Sequence, residues 1–212
     1  MTVVFFEGRR PLGEASAGRR CSTLFLSQVR PAVIAEDAVR QATLLCERQF
    51  GVAPEVKIVG RTDLSFEYVP DHVFYILLEL LKNSMRASCE RQLAADADEP
   101  SVIRVIVADG EKNEDVALKI SDEGGGIARS DLNKVWSYLY TTASKDVQES
   151  GFTADGTDFV GAPLAGLGYG LPISRAYARY FGGDLTLMSM EGFGTDAFVY
   201  LSRLGDHDEP LP

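Results

Sequence analysis

Two stretches of this chain place reactive side chains at chemically useful spacing. In FYILLELLKNSMRAS (74–88), Glu79 and Asn83 are four residues apart, and Arg86 follows three later. On a helix this stacks a carboxylate, an amide and a guanidinium along one face. The carboxylate can accept a proton, and the amide oxygen is a hard donor suited to Mg2+. Taken by spacing alone, the row reads more readily as a solvated helix face. In KISDEGGGIA (119–128) a strand ends in Asp122, and Gly124, Gly125 and Gly126 follow. Glycines there let a ligand approach the backbone. An aspartate fixed at the strand end can accept from an exocyclic amine such as adenine N6. A tight turn would also use the aspartate, but it needs fewer than three glycines.

Two further stretches belong with these. AGLGYGLPISRAYARYFGG (165–183) opens on Gly166, Gly168 and Gly170, then becomes an apolar-periodic run with Ile173, Tyr177, Tyr180 and Phe181. The spacing matches neither the G-x-G-x-x-G fingerprint nor a Gly-Lys-Ser/Thr loop. A glycine loop that opens a helix still favours phosphate; a hinge is the plainer alternative. EGFGTDA (191–197) puts Thr195 at the exit of a strand connection, where its hydroxyl can meet a base or a water, or simply close a turn. The order E-x-x-x-N, D-x-G-x-G, G-x-G-x-G, G-T carries more than any one motif.

These residues need elements to hold them. A helix is predicted over 32–51, with a stripe through Ile34, Ala38, Ala42 and Leu45 and a stop at Gly51. EVKIVG and LSFEYV (55–60 and 64–69) alternate and read as a hairpin with its turn near RTD. Pro70 opens a long helix, about 71–93, with Ile76, Leu77, Leu80, Leu81 and Met85 as its core side. Strands follow at 102–108 and 116–121, then a helix near 130–138. The stretch 141–165 is polar and glycine-rich, without periodicity, and reads as a lid. A helix at 171–181 and the strands DLTLMSM and DAFVYLSRL close the domain. Hairpins alternating with helices predict an α+β fold. Its form is a two-layer α/β sandwich, with a mixed, mostly antiparallel sheet and helices on one face. Residues 1–31 read as an N-terminal remnant or linker, with VVFF as part of a strand; 32–204 is the domain and 205–212 an acidic tail.

The totals narrow the function classes. With 212 residues and 45% hydrophobic content, the chain can bury one sizeable core. A net charge of -10 argues against non-specific nucleic-acid or anionic-membrane binding, yet a nucleotide with a divalent cation remains compatible. Cys21, Cys46 and Cys89 are odd in number and widely spaced, and read as free thiols. His72 and His207 are the only histidines, which argues against a zinc site or a Ser-His-Asp triad. No apolar run approaches the ~20 residues of a membrane span. MTVVFFEGRR is too short and too soon acidic for a signal peptide.

The four motifs in this order resemble the Bergerat-fold ATPases, which include sensor histidine kinases, gyrase, mismatch-repair ATPases and a heat-shock chaperone. ELLKNSMRAS, SDEGGGIARSDLNKVWSYLYTTAS and GLGYGLPISRAYARYFGGDLTLMSMEGFGTDAFVYL are similar to the mitochondrial 2-oxoacid dehydrogenase kinases. The likeness runs from about 32 to 204. It implies an ATP- and Mg2+-dependent serine kinase of the mitochondrial matrix. Such a kinase acts on the E1 component of a pyruvate or branched-chain 2-oxoacid dehydrogenase complex and down-regulates it. By resemblance Glu79 is the general base and Asn83 the Mg2+ ligand, with Arg86 nearby. Asp122 binds adenine, with Gly124, Gly126 and Thr195 around it. Thr141 and Thr142 lie on the lid side. Gly166, Gly168 and Gly170 meet the phosphates through their amides, with Leu167, Tyr169 and Leu171 beside them. Val135, Ser137 and Tyr140 match a segment whose backbone holds K+ in the branched-chain enzyme. The implied partners are ATP and ADP, E1, a lipoyl-bearing E2, and a second copy paired through the sheet.

The sequence also departs from the family. Pyruvate dehydrogenase kinases often carry a histidine four residues before the glutamate, and here that position is Tyr75. Glu79 must then be oriented by another group, or the chain leans to the branched-chain side. The region IARSDLNKV…TTA leans that way too, whereas YGLPISRAYARYF and SMEGFGTDA lean to pyruvate. The family's N-terminal helical bundle and long C-terminal tail have no counterpart in these 212 residues. The expectation is therefore the nucleotide-binding half alone, nearly inactive on a dehydrogenase complex in this form. An ATP-binding regulatory module without transferase activity, or a histidine-kinase-type ATPase domain, are the alternative readings.

Overall fold

The computed structural model describes residues 27–110, 115–141 and 168–203. Strand β1 (Ser27–Val29) leads into helix α1 (Pro31–Phe50). Proline occupies its first turn, and Gly51 ends it in the left-handed region, its N–H returning to Glu47 O. The face α1 buries is narrow and small: Ala32, Ala35, Ala38, Ala42 and Cys46. Ile34 and Leu45 of the predicted stripe are only partly buried. The alanines leave space for α2 (Pro70–Ala95), whose Ile76, Leu77, Leu80, Leu81 and Met85 are all buried. Removing side chains of that size from water stabilises by about 1.5–3 kcal/mol each. Cys46 and Cys89 meet between the two helices with sulfurs 3.5 Å apart, both free thiols. Cys21 lies outside the described residues.

Strands β2 (Val56–Gly60), β3 (Phe66–Tyr68), β4 (Ile103–Asp109), β5 (Asp115–Asp122), β6 (Asp184–Met190) and β7 (Gly194–Ser202) complete the strand set. The main sheet has the order β2-β4-β5-β7-β6; β2 and β4 run parallel and the other pairs antiparallel. The helices pack on one face of it, over Val105, Val107, Leu118, Ile120, Leu185, Val199 and Leu201. Alternation along β5 buries Val116, Leu118, Ile120 and Asp122 together. Asp122 therefore points to the helix side by the same period that points the apolar residues there. The α+β sandwich expected from the element order is the fold observed.

Two local expectations fail. Residues 55–60 and 64–69 do not form a hairpin. β2 pairs parallel with β4, through α2 as the crossover, while β3 pairs antiparallel with β1. After Gly60, Arg61 N–H still bonds Val107 O at 2.8 Å, and the chain then leaves the sheet to bury Leu64 and Phe66. Alternation shows that a segment is a strand but not which strand it meets. The helix predicted near 130–138 shrinks to a 3-10 turn, Lys134–Trp136. Most of its closures are three residues long (Asp131 N to Ala128 O, Lys134 N to Asp131 O, Ser137 N to Lys134 O), with one of four, Val135 N to Asp131 O. So short a segment cannot repay helix nucleation by itself. A third helix, α3 (Gly170–Tyr180), agrees with the predicted 171–181. The lid predicted at 141–165 lies outside the described residues except for Thr141. Among the described residues, no helix is long and apolar enough to cross a membrane.

Candidate functional site

A cleft of about 370 Å³ lies between α2, the glycine loop after β5, the 3-10 turn and the start of α3. Glu79, Asn83 and Arg86 all line it. Their face of α2 is not solvated: the Glu79 and Arg86 side chains are 14% and 16% exposed. Asp122, Gly124, Gly126 and Thr195 line one end, and Thr141, Gly168, Gly170 and Leu171 the other.

At the first end Asp122 is buried. Its carboxylate accepts from Ser84 Oγ at 2.8 Å, Gly124 N at 3.0 Å and Thr195 N at 3.3 Å. Burial pushes its pKa above the ordinary 3.8 despite these bonds. Ser189 Oγ accepts from Ile127 N at 2.7 Å and shares a hydrogen bond with Thr195 Oγ1 at 2.9 Å, which fixes the threonine hydroxyl. Arg91 donates to Glu123 O and Phe193 O, tying the glycine loop to the β6–β7 turn. Gly126 sits at φ +72°, and a Cβ there would collide with the Met190 carbonyl. Only glycine lets the loop lie this close to the turn. The result is an acceptor group held by several hydrogen bonds in a cleft that Leu187 and Ala197 also line.

At the other end Lys82 Nζ holds Glu79 Oε1 at 2.9 Å, with both side chains largely buried. Glu79 Oε2 faces the Gly170 α-carbon, where a side chain would collide with it. The carboxylate is thus set between α2 and the N-terminus of α3. Tyr75 stands one turn before it, edge-on to Tyr177. Burial, with a further contribution from the Glu79 charge, pushes the Tyr75 hydroxyl up to about 12. Lys82, rather than the residue at position 75, is the group bonded to Glu79. Gly168 lies at φ +79°, pressed on the Tyr140 carbonyl, and its own carbonyl accepts from Leu139 N at 3.1 Å. Leu139 has φ +66°, unusual for a branched side chain.

The structure brings together Glu79, Asn83, Arg86, Asp122, Gly124, Gly126, Thr141, Gly168, Gly170, Leu171 and Thr195, with Val135 and Tyr140 in the same wall. Ser137 and Tyr169 are not in that wall; Tyr169 turns its ring to Tyr138, 5.9 Å between centroids. Thr142, Gly166 and Leu167 lie outside the described residues. Lys82, Ser84, Arg91 and Ser189 were missed. Ser84 had a signal, a hydroxyl on the core side of α2 beside Leu77, Leu80 and Leu81. No sequence pattern pointed to Arg91 or Ser189.

Comparison with known proteins decides the family. The model of the histidine kinase-, DNA gyrase B- and HSP90-like ATPases matches residues 68–204, from the strand before α2 to the end of β7. The chain belongs to this ATPase family. Within it, the chain is similar to named kinases. It is 51% identical to a mitochondrial [pyruvate dehydrogenase (acetyl-transferring)] kinase of Arabidopsis thaliana, over 88% of this chain and 50% of that kinase. A kinase of the same name from Schizosaccharomyces pombe is 46% identical over 84% of this chain and 41% of its own length. Isozyme 3 of Homo sapiens is 43% identical over 85% of this chain and 44% of its own length. The chain thus spans half or less of these relatives. The cleft described above lies within the matched region, with Asp122 and Glu79 at opposite ends.

Proposed function

We propose that this chain is the nucleotide-binding and phosphoryl-transfer half of a protein serine kinase that acts on the E1 component of a mitochondrial 2-oxoacid dehydrogenase complex. The observation that carries the reading is the span of α2. Glu79, Asn83 and Ser84 follow within six residues, and they connect a buried carboxylate beside α3 to the Asp122 pocket in one cleft. The names of the relatives favour pyruvate dehydrogenase over the branched-chain enzyme as the substrate complex.

In this reading Asp122 accepts the adenine amino group, and the Thr195 hydroxyl, oriented by Ser189, meets the ring edge. The phosphates run toward Gly168 and Gly170. The Asn83 amide oxygen lines the cleft beside them and is a fitting hard donor for Mg2+, which when bound offsets triphosphate charge. Glu79 takes the proton of the acceptor serine as its oxygen attacks the γ-phosphorus and ADP leaves. Lys82 fixes the carboxylate for that task. The sites suggested for K+ are the backbone of Val135, Ser137 and Tyr140; two of these three residues line the cleft wall. Homodimerisation through the sheet is supported by its open side, where Met188 and Tyr200 are exposed. A lipoyl-bearing E2 partner and a matrix location rest on the family resemblance.

The test is Glu79→Gln in a chimera where this chain replaces the matching half of the Arabidopsis kinase. Phosphate incorporation into E1 should fall by about 10²–10⁴-fold while Mg-ATP binding stays within a few-fold. Full activity at saturating ATP would remove Glu79 from the mechanism.

A further inference from the structure

We infer that Arg175, clamped by Asp184 and lying over Trp136, is a positioning residue for the phosphate end of the nucleotide cleft. This rests on the nucleotide reading of that cleft. Arg175 is on α3, just over one turn beyond Gly170. Its Nε donates to Asp184 Oδ1 at 3.0 Å. The same oxygen accepts from Arg179 Nε and from Leu185 N, each at 2.8 Å. Two guanidiniums and a backbone amide hold the Asp184 carboxyl well below the usual carboxylate range, so the anchor stays charged at any working pH.

The other side of the Arg175 guanidinium meets the Trp136 ring, 4.3 Å from its centroid. Trp136 ends the 3-10 turn and directly follows Val135, which lines the cleft. A second tie, Leu139 N to Gly168 O, joins the same two segments farther along. Flanking the ties are Val135, Tyr140 and Thr141 on the turn side, and on the helix side Gly168, Gly170 and Leu171; all six line the cleft. The turn has little regular structure of its own, so its place depends on what holds it to α3. Arginine suits the role because one planar group serves an ion pair and an aromatic face together. Lysine can keep the ion pair but offers no planar face.

The experiment titrates the chain with Mg-ADP and, separately, adenosine, by calorimetry. Arg175→Met should weaken Mg-ADP about tenfold and leave adenosine within about twofold, since Asp122 is held by Ser84, Gly124 and Thr195 and not by the clamp. Trp136→Leu should match it, and the double variant should be no worse than the weaker single, because both changes remove one contact. Arg175→Lys should fall between. Trp136 is the only tryptophan, so its emission should shift in Arg175→Met while far-ultraviolet dichroism stays unchanged. If Arg175→Met does not fold, Trp136→Leu and Arg175→Lys carry the same comparison. Unchanged Mg-ADP affinity, or equal loss of Mg-ADP and adenosine, would overturn the clamp. A wild-type chain that binds neither probe would overturn the nucleotide reading and the clamp with it.

Discussion

At the proposed base end of the cleft, Asp122 takes three hydrogen bonds, and the walls around it are tied by Ser189 and Arg91. At the proposed phosphate end, Glu79 has one charged partner among the described residues, Lys82, and the walls meet through backbone at Gly168 and Leu139 and through side chains at Arg175 and Trp136. The first end is a network of side chains fixed by burial. The second is an edge where a turn and a helix start are held by few contacts. A group that must recognise one flat base gains from a prearranged pocket. A group that must admit phosphates and then a serine hydroxyl needs room for approach, and glycines supply it without side chains in the way. Selectivity is thus expected at the first end and chemistry at the second.

The largest effect on this contrast should come from Gly126→Ala. The added Cβ meets the Met190 carbonyl at a positive φ, so loop and turn must part. A loss of about 3 kcal/mol in denaturant-measured stability is expected, with nucleotide binding lost in proportion to the displaced pocket. A variant as stable as wild type would mean the loop is not pinned there.

Ser84→Ala should act more gently. It removes one of the three donors to Asp122 without altering shape. About 1 kcal/mol is the usual worth of such a bond, so ATP affinity should fall about fivefold, and phosphoryl transfer at saturating ATP should hold. If the turnover rate falls and the affinity does not, the division of labour between the two ends is wrong.

Acidification should separate the ends most finely. Burial raises the pKa of Asp122 above 3.8, so the folded chain holds this proton to higher pH than the unfolded chain does. The contribution of protonated Asp122 to folding is fully present below 3.8 and is lost as pH rises through the folded value. Nucleotide binding runs the other way, since adenine needs the acceptor carboxylate. ATP affinity should therefore decline as pH falls through that same raised value, a step that Asp122→Asn removes. A decline confined to the range of exposed carboxylates would place the acceptor elsewhere.

Much of the site was legible because helical and strand periods are local. Glu79, Asn83 and Arg86 share a face by spacing alone, and the alternation of Val116, Leu118 and Ile120 carries Asp122 to the helix side. What was not legible depends on contacts distant in sequence. β2 and β3 alternate like hairpin strands but pair with β4 and β1. The Asp184–Arg175–Trp136 cluster joins residues with no common motif. The apolar spacing across 130–138 is satisfied equally by a helix and by the short 3-10 turn found there. Lys82 was hidden in plain view, a lysine that the helix buries to hold Glu79 rather than to face water.

The most direct test is calorimetric titration of wild type and Asp122→Ala with Mg-ATP and Mg-GTP. The wild-type chain should prefer ATP, because the guanine O6 acceptor would face the Asp122 carboxylate. Asp122→Ala should lose the charge-assisted bond, worth roughly 1.5–3 kcal/mol, and weaken ATP by about tenfold or more while GTP changes little. ATP affinity that is the same in both proteins would contradict the assignment of this cleft end to the base, and with it the orientation that brings the phosphates to Glu79.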